Sequence, residues 1–263
     1  MANHGTTSLP ILMYHAIRRS PAGQVPPGWS RRHAIDAAAF TAQLDAIVAH
    51  GMHPVSLGAL DQVSLPARPV VITFDDGHCS DYLIAAPELK ARRLTAAFFV
   101  TWSFLDRPGY LKRQQVRELR YASFEIGSHG LTHKRLTEVG PVELWREALD
   151  SKRRLEDLLG VEVSSFALPS GAYNDAVLQA LWGAGYRRIM TSDFGYGWSE
   201  NTILHRMGVI ADTTQREFQA FLTAGPAWAA RRRLIDAVKR RASRVLPRSQ
   251  IGSTVGPEAS SSR

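Results

Sequence analysis

Between residues 9 and 223, short apolar runs alternate with stretches of helical spacing, and the alternation continues through about seven units. Neighbouring parallel strands need long crossovers, so this rhythm predicts a parallel sheet covered by helices. The runs at 9–15, 70–74, 95–101, 124–127, 163–168, 187–191 and 203–210 read as strands. A helix is expected over 36–50, where Phe40, Leu44, Ile47 and Val48 share a face and Gly51 supplies a stop. Further helices fit 81–93, 114–121, 142–159 (closed by Gly160) and 215–223. Another, capped by Asn174 or Asp175, falls between the strands at 163–168 and 187–191. The Pro/Gly-rich stretch at 20–30 fits no regular element. The regularity favours an α/β closed barrel with its helices outside, and an open doubly wound sheet is the competing topology. In both, chemistry belongs at the carboxyl ends of the strands.

With 263 residues and 44% hydrophobic composition, the chain holds one large domain or two small ones. The single cysteine, Cys79, excludes an intrachain disulfide. Residues 1–10 lack the charged and apolar regions of a secretory leader, and no apolar run matches a bilayer span. The expectation is a cytoplasmic protein. A net charge of +8 suggests nucleic acid until it is located. Residues 228–248 hold eight basic residues (Arg231, Arg232, Arg233, Lys239, Arg240, Arg241, Arg244, Arg248) against Asp236 alone, which is +7 of the +8. The body of the chain therefore has no nucleic-acid footprint.

The basic segment is also amphipathic: Trp228, Ile235 and Ala242 recur every seven residues, as do Val238 and Val245, and Leu234 lies four before Val238. One reading is a helix lying on anionic lipid at the inner face of the membrane, near lipid-linked precursors. The other, of equal weight, is a last helix packed on the barrel with a solvated face. The expected organisation is a barrel over 1–225, a basic amphipathic helix over 226–248 and a disordered Ser/Gly-rich tail over 249–263.

The strand at 70–74 ends on Asp75-Asp76-Gly77, and Ser128-His129-Gly130-Leu131-Thr132-His133 follows the strand at 124–127. Adjacent strand-end residues point opposite ways, so one carboxylate can face a metal while the other faces its water. Histidines at i, i+4 share one face if the segment is helical. Alone, a histidine pair is more often packing and an Asp-Asp-Gly more often a turn. Together on one rim they supply three ligands, Asp76, His129 and His133, and leave coordination positions open, as a catalytic site requires.

Thr73-Phe74-Asp75-Asp76-Gly77 with the His129–His133 segment resembles the polysaccharide deacetylase family, carbohydrate esterase family 4, with its NodB-homology domain. The likeness spans most of residues 9–222, including Tyr14-His15 and Ala167-Leu168-Pro169-Ser170-Gly171. It implies a distorted (β/α) barrel that removes N-acetyl or O-acetyl groups from glycans. It also implies Asp75 as general base, Asp76, His129 and His133 as ligands of a divalent metal, most often Zn2+, and the Ser170 amide as oxyanion donor. Two positions depart from the family pattern: Ala167 stands where an Arg often orients the base, and Ser170 where an aromatic often stands. Asp193 matches a fourth motif weakly.

The general acid has two candidates. Ile203-Leu204-His205 approximates a Leu-x-His motif, whereas Leu204-His205-Arg206 with Gly208-Val209 resembles an exopolysaccharide-type subgroup that takes the acid from Tyr14-His15. His15 is favoured over His205. Trp102 and Tyr110 are placed to stack on sugar rings, although core packing is the commoner role. His33, His50, His53 and His78 read as incidental, His78 with a place in the groove. The expected activity is metal-dependent removal of N-acetyl groups from an amino sugar, in a polysaccharide or a lipid-linked precursor. Alternatives are a deformylase, an O-acetyl esterase on a glycan, or a silent glycan-binding relative.

Overall fold

The computed structural model describes residues 7–19, 29–61 and 64–245, with side chains described as far as residue 235. The expected tail at 249–263, Arg248 and most of the 20–30 loop lie outside the described residues, as do the side chains of Lys239, Arg240, Arg241, Arg244, Val238, Ala242 and Val245.

Eight strands form a parallel sheet: β1 (Ile11–Tyr14), β2 (Pro69–Phe74), β3 (Ala97–Val100), β4 (Glu125–Ser128), β5 (Ser165–Ala167), β6 (Arg188–Met190), β7 (Ile203–Leu204) and β8 (Met207–Gly208). Their order is β7-β6-β5-β4-β3-β2-β1-β8, with the two-residue strand His53–Pro54 added beside the start of β2. The helices on its outside are α1 (Ala37–Ala49), α2 (Ala86–Ala91), α3 (Arg113–Tyr121), α4 (Pro141–Leu159), α5 (Asp175–Gly183) and α6 (Gln215–Thr223), followed by α7 (Gly225–Val245).

The segment at 203–210, expected as one strand, is two. β7 closes one edge of the sheet and β8 the other, with only His205 and Arg206 between them. Three Cα steps reach at most roughly 11 Å, little more than two strand spacings. The sheet has to curl until its edges nearly meet, which makes it a distorted (β/α) barrel.

Strand alternation sorts the core into two layers. Leu12, Tyr14, Ile72, Phe74, Phe98, Ile126 and Phe166 face outward into the packing against the helices. Ile11, Val71, Ala97, Phe99, Ala167, Met190 and Leu204 fill the interior. Gly127 admits Phe99 to that interior, since a Cβ there would stand 2.4 Å from the ring.

Local signals set the helix ends. Asp36 caps α1 through Ala38 N–H, and Asn174 rather than Asp175 caps α5 through Val177 N–H. Gly160 ends α4 at φ +67. The stretch expected as one helix from residue 81 begins instead with a π-helical turn at Asp81–Ala85 and continues as α2. Pro87, at the start of α2, removes one N–H from the α-helical ladder there. Among the described residues no helix is long and apolar enough to cross a membrane.

Candidate active site

His15 follows β1, Asp75 and Asp76 follow β2, His129 follows β4, Pro169–Gly171 follows β5, Asp193 lies just past β6, and His205 and Arg206 follow β7. Because all these strands run parallel, their carboxyl ends share one rim, and this rim gathers every chemistry-bearing segment.

Asp75 is 2% exposed and Arg206 fully buried. The Arg206 guanidinium meets the Asp75 carboxylate with both forks, Nη1 to Oδ1 and Nη2 to Oδ2, each at 2.7 Å. Its Nε donates to the Thr191 carbonyl at 2.9 Å and Nη1 also reaches Thr73 Oγ1 at 3.2 Å, so its plane is fixed. Burial alone would push the Asp75 carboxyl up. The charge and hydrogen bonds of Arg206, with the His129 and His15 imidazoles adding to them, outweigh it and hold the group below its ordinary value. Ala167 occupies the position at which the family resemblance leads one to expect an Arg beside Asp75. The guanidinium arrives instead from the seam between β7 and β8. The signal was available: a lone Arg inside an apolar strand-like run needs a buried carboxylate.

Asp76 turns away from its neighbour at φ +77. Its Oδ1 lies 3.3 Å from His129 Nε2 and 3.2 Å from His133 Nε2, and Oδ2 lies 3.2 Å from His78 Nε2. One ligand atom each from Asp76, His129 and His133 falls within a 4.8 Å cluster, the group of metal-binding character among the described residues. The expected helical face for the two histidines is not what brings them together. Residues 129–133 form a loop, with φ +82 at Gly130 and +62 at His133, and the two rings sit 4.9 Å apart between centroids. His78, read as incidental, borders the cluster.

The residues present fit a cation. His129 Nδ1 lies 2.8 Å from the Ala167 carbonyl, which can only accept, so the proton of the neutral ring sits on Nδ1 and Nε2 keeps its lone pair. That lone pair faces Asp76 Oδ1, a buried oxygen with no hydrogen bond of its own. Burial would raise the Asp76 carboxyl, but the imidazoles of His129, His133 and His78 around it outweigh burial and hold it well below its ordinary value. Burial lowers the proton affinity of His129, and the Asp75 and Asp76 charges more than reverse this. The place where these atoms converge attracts positive charge.

The two candidate acids differ in surroundings. His15 is half-buried, its Nδ1 has no hydrogen-bond partner, and its ring stacks on His33 at 4.6 Å. Burial lowers it to about 4 against the opposing pull of Asp75 and Asp76, so it lies within the field of both carboxylates. His205 Nδ1 instead lies 3.0 Å from Thr191 Oγ1 and 3.9 Å from Asp193 Oδ2. Burial lowers it too, and the charges acting on it are Asp193 and Arg233.

Ser170 is exposed at φ +60 beside Gly171 at φ +71, where a Cβ would stand 2.5 Å from Ser192 Cβ. This tight turn presents backbone on the rim. Tyr110 stacks on His78 at 5.2 Å, His78 meets Trp29 at 4.5 Å, and Phe104 lies 5.6 Å from His133, giving an aromatic wall beside the cluster. Trp102 lies under Arg113 and Arg154.

A curled parallel sheet of this order, with paired carboxylates and imidazoles on its carboxyl rim, has the architecture of the carbohydrate deacetylases of NodB-homology type. The chain is similar to members of the polysaccharide deacetylase family. The family model described as "Polysaccharide deacetylase" matches residues 62–189. YxkH of Bacillus subtilis, named as a polysaccharide deacetylase, is 26% identical over 81% of this chain and 76% of its own length. The peptidoglycan-N-acetylglucosamine deacetylase of Bacillus cereus is 31% identical over 47% of this chain and 56% of its own. The deacetylase PplD of Streptococcus pyogenes, solved with acetate, superposes with a TM-score of 0.74 at 26% identity, over 83% of this chain and 99% of PplD.

Proposed function

We propose that the chain hydrolyses the N-acetyl group of an amino sugar within a polysaccharide or its lipid-linked precursor. The observation that carries this reading is Asp75, kept ionised by a two-pronged contact with Arg206 beside the Asp76, His129 and His133 cluster. A divalent cation bound by those three residues, zinc in our reading, would polarise the acyl carbonyl and acidify the attacking water. Asp75 accepts the proton that this water gives up, and Arg206 keeps the carboxylate charged and aimed. The Ser170 N–H donates to the developing oxyanion. His15 donates a proton to the departing nitrogen. It rests neutral. Negative charge building on the tetrahedral species raises its proton affinity, so it takes a proton from solvent and passes it to the nitrogen as the C–N bond breaks. Asp75 later returns to solvent the proton it took from the water. His205, held by Thr191 and Asp193, is the alternative acid.

The names of the relatives support glycan deacetylation as the class, and PplD carries acetate. The same machinery would serve a deformylase or an O-acetyl esterase. A silent glycan binder would have no use for a buried base with its own counter-charge. The test is acetate release from N-acetylated chito-oligosaccharides, with metal content measured in parallel. Wild type is expected to release acetate, and Asp75→Asn to lose at least about 100-fold while retaining metal. His15→Ala should nearly abolish turnover with metal intact. If His205→Ala does so instead, the acid is misassigned. Bound metal without acyl release across a glycan panel would favour the binder.

We further propose residues 1–225 as the catalytic body and the basic segment 226–248, whose last three residues lie outside the described ones, as an element that meets anionic lipid at the inner face of the membrane. Trp228 packs on Phe194 and Phe221, and Ala229 is buried, which seats the start of α7 on the body. Leu234 is 66% exposed, which leaves the next turn with an apolar side chain for another surface.

A further inference from the structure

The segment carrying His129 and His133 is a loop, yet its backbone is tied down group by group. The His129 N–H donates to the Val100 carbonyl at 2.9 Å, and the Gly130 and Leu131 carbonyls accept from Trp102 N–H at 3.1 Å and Ser103 N–H at 2.9 Å. The Gly130 N–H donates to Ser128 Oγ at 3.1 Å. The Leu131 and Thr132 N–H groups both donate to one carboxylate oxygen, Glu147 Oε2, at 2.8 and 3.0 Å. The Thr132 hydroxyl donates to the other oxygen, Oε1.

Glu147 projects from α4 and is 2% exposed. One turn further along, Ser151 Oγ accepts from Ser128 Oγ at 2.9 Å and donates to the Glu147 carbonyl at 2.6 Å. The fit is close, since a Cβ on Gly130 would stand 3.0 Å from Glu147 Oε2. His133 sits in the left-handed region, which L residues adopt only under constraint, and that constraint is supplied one residue earlier.

We propose that Glu147 is the positioning residue of the two-histidine arm, fixing His129 and His133 in metal-binding geometry before an ion arrives. This rests on the reading of Asp76, His129 and His133 as the ligands. Glu147 touches neither ring. It acts through three hydrogen bonds to the backbone and hydroxyl between them, each strengthened by its negative charge.

The hydrogen-bond role makes an asymmetric demand on substitutions. In Glu147→Gln the amide oxygen can still accept both N–H groups, and its NH2 can donate to the Thr132 hydroxyl once that hydroxyl turns. Glu147→Ala removes all three acceptors. A purely electrostatic contribution would be lost equally in both.

Hydrogen exchange in the metal-free protein and zinc affinity by chelator competition test the proposal together. The Leu131 and Thr132 amides are expected to stay protected in wild type and Glu147→Gln, and to exchange at least about 10-fold faster in Glu147→Ala. Zinc affinity should fall about 10–100-fold in Glu147→Ala and stay within about 3-fold of wild type in Glu147→Gln. Leu155→Ala, a cavity in the same helix, should lower thermal stability without weakening zinc. Protected amides with unchanged affinity in Glu147→Ala overturn the proposal. So does a loss in Glu147→Gln equal to that in Glu147→Ala, or a matching loss in Leu155→Ala. A wild type that takes up no zinc would refute the ligand reading, while the exchange measurement would still judge the clamp.

Discussion

For Asp75 to act as the proposed base, its buried carboxylate must keep its charge and a lone pair beyond those its donors occupy. Arg206 achieves this for Asp75, because a guanidinium supplies charge and two donors yet does not release its own proton. Arg206→Met removes the charge at similar volume. Turnover should then drop about 10²–10⁴-fold, and stability by about 3–5 kcal/mol, because an uncompensated buried charge is left behind. Urea unfolding and acetate release check both, and the double variant Asp75→Asn/Arg206→Met should regain stability but no activity. A single variant within two-fold of wild-type turnover would remove Arg206 from the site. The Asp75-Asp76 pair and the His129–His133 pair are each legible in the sequence because the spacing within each pair is local, and the fold brings Asp76, His129 and His133 together. The Arg206 partnership is not legible, because 131 residues separate it from Asp75. His15 sets a pH signature. Its folded value is lowered from 6.5 to about 4, so its neutral form is the one the fold favours. Above about pH 6.5 it contributes no slope. Between there and about pH 4 the unfolded chain takes a proton that the fold resists, so stability falls as pH falls. His33 and His205 shift in the same direction. The stability that neutral His15 contributes to the metal-free protein should therefore be lost across this window, against the opposite pull of His129, whose proton affinity the fold raises. His15→Gln should flatten the loss. An unaltered slope in that variant would refute the assignment.

Among the elements, the helices were read nearly to the residue because caps, stops and periodicity are all local signals. Beyond the π-helical turn that opens the stretch from residue 81, two expectations fail, each for a physical reason. Histidines at i, i+4 share a face only if the chain between them is helical, and Gly130, which takes a left-handed φ, is the residue that argues against a helix there. The run at 203–210 is apolar on both sides of His205 and Arg206, so it reads as one strand carrying a polar pair, and only the pairing of its halves with opposite sheet edges shows that this pair is the crossing. β4 offers a test of how the interior is filled. Gly127→Ala would place a methyl 2.4 Å from the Phe99 ring and within 2.7 Å of Ser165 Oγ. Overpacking of this kind costs about 1–3 kcal/mol. A lowered melting temperature is expected, with partial recovery on adding Phe99→Leu. An unchanged melting temperature would mean that the interior has slack the packing does not show.

For the whole molecule, charge and chemistry are segregated: the rim holds the reactive groups, and residues 228–248 hold +7 of the net +8. If α7 meets lipid, vesicles rich in phosphatidylglycerol should pellet the full chain at low salt, with each cation near the surface contributing about 1 kcal/mol. A chain ending at residue 226 should stay in the supernatant, and equal pelleting of both would exclude the lipid reading. The seam of the barrel carries a different consequence, one for synthesis. A nascent chain that has emerged only as far as residue 202 already contains Asp75, Asp76, His15, His129 and His133, but neither edge strand nor Arg206. Asp75 has no Arg206 counter-ion until the last strands arrive and dock beside the first. If Asp75 is the proposed base, the residue that holds it charged is also the one that marks the barrel as finished, and a chain stopped short of the seam should release no acetate.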